Sequence, residues 1–203
     1  EEREETPMGF RFCFEDNFPD AGDYDFNDVV LTVTPTVNDK TLTIKVSLDA
    51  VGGTETIAAA MRLVGVNSSD LVSYTVTKAF PSIDEMSWGA TYHNIEHSDG
   101  FVKEGENPNN TNNMVIVLFK DAHWAINPEN DNSGGPKRVF YNTVEPNDFY
   151  TNNVPPTTAI YTLVFNDEDK AKSMLAKNLY DVFIVEPYNG SYWEVHTVEN
   201  GLR

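Results

Sequence analysis

Near its start the chain reads "GDYDFNDVV" over residues 22–30, with "FED" over 14–16 a few residues earlier. Glu15, Asp16, Asp23, Asp25, Asn27 and Asp28 therefore crowd just ahead of an apolar run. The spacing Asp23-x-Asp25-x-Asn27 places oxygen ligands at alternate positions of a loop. A tightly wound loop of that kind can turn them onto one hard cation, and calcium takes 6–8 oxygens. Gly22 permits a sharp approach to it. The loop is not an EF-hand: Asp28 stands where that motif requires Gly, and Thr34 where it requires a bidentate Glu. Any calcium site must be completed from elsewhere, and Glu15 and Asp16 are nearest. The same residue types also form Asx-turns and accept backbone N–H groups, so a turn without metal remains open. Closely packed carboxylates repel one another, which favours a cation.

The elements that must position these residues are strands. "FRFCFE" puts Phe10, Phe12 and Phe14 on one face, and "DVVLTVTP" does the same for Val29, Leu31 and Val33, with Pro35 expected to end it. "TPTVND" reads as a hairpin loop. In "KTLTIKVSL", Leu42, Ile44, Val46 and Leu48 alternate with polar residues, the signature of a strand buried on one side. Further strands are expected at 57–66, 71–77, 114–119, 138–144, 158–165, 180–186 and 192–198. A helix is expected over 167–178, capped by Asn166 or Asp167, and a short one over 120–126. Many strands and few helices predict an all-β fold. It should be an antiparallel, jelly-roll-like β-sandwich with one or two short helices.

The chain has 203 residues and a net charge of −18, from 32 Asp+Glu against 14 Lys+Arg. That length can bury a substantial core. The charge argues against nucleic acid as a partner and against adsorption to an anionic membrane surface. Cys13 is the sole cysteine, so no intrachain disulfide forms. It is expected to be a buried structural residue. No apolar run of about 18 residues is long enough to span a membrane. The opening "EEREE" reads as a trimmed product whose targeting segment has been removed.

Other residues could do chemistry. "HNIEH" (93–97) fits a zinc-protease spacing, but its surroundings are loop-like, and paired His ligands need a helix. No single carboxylate pair stands out for glycoside hydrolysis. Trp88, Tyr92, Trp124, Phe149, Tyr150 and Tyr188 could stack on sugars, or plug the ends of the sandwich.

"FEDNFPDAGDYDFNDVVLTV" closely resembles the signature of the LruC-type domain family, and "NMVIVLF", "HWAI", "FYNT" and "WEVH" extend the likeness toward the C-terminus. The resemblance implies a bacterial surface or secreted protein, lipid-anchored in some members, with a domain of unknown function. The charged opening ending in Pro7 makes residues 1–8 a disordered tether, and the resemblance makes 9–203 a single LruC-type β-sandwich domain. Glu15, Asp16, Asp23, Asp25, Asn27 and Asp28 occupy the family's acidic signature. The expected function is a non-catalytic, structural or adhesin-like domain of the cell envelope with a calcium-organised loop. Its partner would be a surface glycan or protein. The alternatives are a carbohydrate-binding module and a secreted hydrolase.

Overall fold

In the computed structural model the alternating segments fold into strands packed as two layers. The structure describes residues 8–15, 25–53, 55–80, 100–106, 112–127, 140–142, 151–153, 155–188 and 191–197. The strands are β1 (Phe10–Phe14), β2 (Val29–Asn38), β3 (Thr41–Val51), β4 (Ala58–Leu63), β5 (Leu71–Lys78), β6 (Phe101–Val102), β7 (Met114–Phe119), β8 (Phe140–Asn142), β9 (Thr151–Asn153), β10 (Thr157–Phe165), β11 (Tyr180–Tyr188) and β12 (Ser191–His196). Among the described residues there are also two short α-helices, α1 (Ala122–Ile126) and α2 (Glu168–Ser173), and single 3-10 turns at Ser68–Asp70 and Lys177–Leu179.

The first sheet runs β1-β2-β3-β10-β5, with β8 beside the end of β3 and β9 beside β8. The second runs β12-β11-β4-β7-β6. All pairs are antiparallel except β8–β9. The antiparallel sandwich expected from the alternation is what the chain forms. Its core lies between the sheets: Phe12, Leu31, Ile44 and Tyr161 from one meet Met61, Ile116, Val182 and Ile184 from the other. Leu42, Ile44, Val46 and Leu48 are all fully buried, which the period-2 pattern of β3 requires.

Two expectations need correction. Pro35 does not end β2, which continues to Asn38 and pairs Pro35 with Ile44. The last β1–β2 pair is Phe10 with Val33, so beyond it β2 is an edge on that side, where a missing N–H costs no ladder bond. The hairpin loop is correspondingly shorter than "TPTVND": Asn38 pairs with Thr41 across a turn at Asp39 and Lys40. Asp39 takes φ +51°, as such two-residue turns demand.

The second sheet has a further apolar cluster on the face turned from this core. Ala58, Ala60, Val102, Val115, Phe183 and Val185 form it, and all are buried. Both faces of β4, β7 and β11 are therefore closed to solvent, which explains their unbroken apolar runs.

Candidate functional site

Phe14 pairs with Val29, so the whole acidic segment from Glu15 to Asp28 is the connection between β1 and β2. Glu15, leaving β1, accepts the Phe26 backbone N–H at 3.3 Å. Asp25 closes an Asx-turn by accepting the Asn27 N–H at 3.4 Å, and its second oxygen accepts from the Asn27 side-chain amide at 2.5 Å. Between them Phe26 sits at φ +53°, unusual for a bulky residue, with its ring half exposed. Asp28 is buried, at 6% exposure. Of the six predicted residues, Glu15, Asp25, Asn27 and Asp28 are described, and the first three meet around Phe26. Asp16 and Asp23 lie outside the described residues.

The loop is anchored on a glycine pair that the strand pattern did not single out. The Gly52 N–H is shared by the carbonyls of Asn27 (3.0 Å) and Asp28 (3.1 Å). A Cβ at Gly52 would lie 1.7 Å from the Asn27 Oδ1. Next to it, the Gly53 carbonyl accepts from His123 Nε2 at 3.0 Å, so that nitrogen carries the proton. His123 is held in turn by Asp121, which caps α1 by accepting the His123 N–H at 2.8 Å. The Ala122 N–H donates to the Ile57 carbonyl, and the Tyr141 ring packs 6.2 Å from His123. The stretch "HWAI" and Tyr141 thus meet Asn27 and Asp28, the described end of the acidic loop, with Gly52–Gly53 between them. Asp121 and His123 are each 1% exposed, and both hold backbone groups.

"WEVH" builds a second polar cluster, on the outer face of the other sheet. Arg62 on β4 donates to Asp181 on β11 at 2.8 Å and to Glu194 on β12 at 3.4 Å. His196 on β12 bonds the same two carboxylates, Nδ1 to Asp181 at 2.8 Å and Nε2 to Glu194 at 3.1 Å. The four side chains close a ring in which each cation touches both anions. The Phe183 ring lies beneath, with the Arg62 guanidinium 5.3 Å and the His196 ring 4.6 Å from its centroid. Burial pulls the His196 pKa down. The hydrogen bonds and charges of Asp181 and Glu194 outweigh it, and the net shift is upward.

A family model described as a domain of unknown function, DUF4842, matches residues 40–201. The chain belongs to that family. No curated protein and no solved structure matches it. The DUF4842 match takes in Gly52–Gly53, Asp121, His123, Tyr141 and the ring on the second sheet. It begins after the acidic segment, so it does not bear on the LruC-type signature at residues 14–33.

Within the DUF4842 region, His93 and His97 of "HNIEH" lie outside the described residues, as do Trp88, Tyr92, Phe149 and Tyr150. Tyr188 is in β11, and Trp124 is half-buried in α1 with its indole N–H enclosed. Cys13, upstream of the match, is exposed and not buried. It alternates with the core-facing Phe12 and Phe14 on an edge strand, so its side chain points to solvent. Among the described residues no helix is long and apolar enough to cross a membrane.

Proposed function

We propose that this is a non-catalytic domain of the bacterial cell envelope, exported and either secreted or lipid-anchored, with a structural or adhesin-like role. Calcium organises its acidic loop. The observation that supports this most is that Glu15, at the end of β1, bonds the Phe26 N–H beside the Asp25–Asn27 turn that leads into β2, although no three acidic side chains among the described residues are grouped as a metal site. The donor set contains oxygen and no sulfur or imidazole, which suits a hard cation. Glu15, Asp16, Asp23, Asp25, Asn27 and Asp28 would hold it. The ion would relieve the mutual repulsion of the carboxylates and fix the register of the two strands.

Calorimetric titration with calcium, alongside melting curves with calcium and with chelator, tests the proposal. Uptake of calcium together with a higher melting temperature is expected, because a ligand specific to the folded state stabilises it. No uptake and a chelator-indifferent melt would leave the loop as a hydrogen-bonded turn. Turnover of generic glycosides or peptides would overturn the non-catalytic reading.

A carbohydrate-binding module is the second reading. Phe26 and Trp193 favour it, being exposed aromatics at 51% and 43% and able to stack on sugar rings. Titration against a panel of glycans separates it from a scaffold.

A further inference from the structure

The Arg62–Asp181–His196–Glu194 ring is unlike the other polar contacts of the sandwich. It ties three neighbouring strands, β4, β11 and β12, and it does so on a face that is otherwise apolar. The side chains of Asp181 and Arg62 are 1% and 9% exposed, and those of His196 and Glu194 are 11% and 13%. Among the described residues β12 lies at the end of the strand order and pairs only with β11. Its hold on β4 runs through Glu194, which reaches over β11 to Arg62.

Both ring nitrogens of His196 face carboxylate oxygens. A neutral imidazole has one N–H and one lone pair, so it can satisfy only one of them. The imidazolium donates to both and balances two anions with two cations. Loss of the proton removes one of the two cations that Asp181 and Glu194 share and sets a lone pair against a carboxylate in a poorly hydrated site. Among the described residues, the charged groups facing His196 are Asp181 from β11 and Glu194 from its own strand, with Arg62 of β4 closing the ring.

We propose that this ring is a proton-dependent latch: it clamps the edge strand β12 to β11 and β4 while His196 is charged, and loosens it when His196 becomes neutral. The raised His196 pKa agrees with the geometry. A group whose folded pKa lies above its free value stabilises the closed state fully below the free value, 6.5 here. That contribution is lost as pH rises through the folded value. The latch therefore holds from above the carboxylate range up to the His196 titration, and releases on the alkaline side. Opening of β12 should become about tenfold more frequent for each unit by which folding raises that pKa.

The test is nuclear magnetic resonance on the intact chain across this pH range. It follows the His196 ring signals together with hydrogen-exchange protection factors of Trp193 and Val195, whose positions in the hairpin register face β11, with the central strands β3 and β10 as reference. Protection of β12 should fall in step with the His196 titration while β3 and β10 hold theirs. His196→Gln should remove that step. Glu194→Gln, which takes one anion from the histidine, should move it to lower pH. The proposal is overturned if β12 protection is flat or rises through the titration, if the step persists in His196→Gln, or if His196 titrates at or below the free value.

Discussion

Gly52 and Asn27 are in contact: the space where a Gly52 side chain would begin is filled by the Asn27 amide, and the Gly52 N–H binds the Asn27 carbonyl. The end of β3 and the start of β2 can approach this closely only without a Cβ. Gly52→Ala should lower stability by about 1–3 kcal/mol, the range for overpacking a tight site. Asn27→Gly in that background should restore part of the loss by removing the clashing amide. A double-mutant cycle by chemical denaturation measures this non-additivity.

Asp25 closes the Asx-turn that sets Asn27 against Gly52. Asp25→Ala should therefore cost about 1–3 kcal/mol through lost charge-assisted contacts. Any remote binding activity should survive. Melting and surface-binding assays run side by side check both halves. Unchanged stability with lost binding would make the loop a recognition surface.

Two buried tyrosines should respond in opposite directions. The Tyr161 hydroxyl is enclosed without a hydrogen-bond partner among the described residues, whereas Tyr180 donates to the Met174 carbonyl at 2.5 Å. Burial pushes both phenols above their ordinary pKa, so neither ionises near neutral pH. Tyr161→Phe should be neutral or stabilising, and Tyr180→Phe should cost about 0.5–1.5 kcal/mol. Urea melts of the two variants decide it.

Arg62→Met should be among the most damaging single changes, at about 3–5 kcal/mol, because it takes from the buried carboxylate of Asp181 its permanently charged partner and leaves it only His196 in the ring. Glu168→Ala, which breaks the exposed Glu168–Lys172 pair on α2, should leave the denaturation midpoint unmoved. Equal effects from the two substitutions would contradict the burial argument.

The strands with clean alternation were legible because one face of each meets the core. β7 was expected at 114–119 and spans Met114–Phe119; β3 follows its alternating run closely. β6 and β9, with two and three residues, are too short to show a period. The helix expected over 167–178 is cut to Glu168–Ser173, although Asp167 caps it by accepting the Lys170 N–H. Met174 is drawn into the core, and its carbonyl is taken by Tyr180, so the chain turns early into β11. The acidic loop announced itself because its residues are adjacent in sequence. The ring did not, since Arg62, Asp181, Glu194 and His196 lie on three strands, and only register brings them together. Its one local trace was a charge at a buried parity: Arg62 within "AAAMRL" and Asp181 within "YDVFIV".

The strand order β1-β2-β3-β10-β5 also bears on how the chain reaches this state. The meander β1–β2–β3 is local and can pair as soon as it is made, but the other edge of β3 waits for β10 from the far end of the sequence. Such distant pairing slows folding. Until β10 arrives, β3 presents an open row of N–H and C=O groups beside an apolar face. A chain emerging N-terminus first therefore carries a sticky strand through most of its synthesis. Fragments ending before Thr157 should aggregate or associate with chaperones, where the full chain does not.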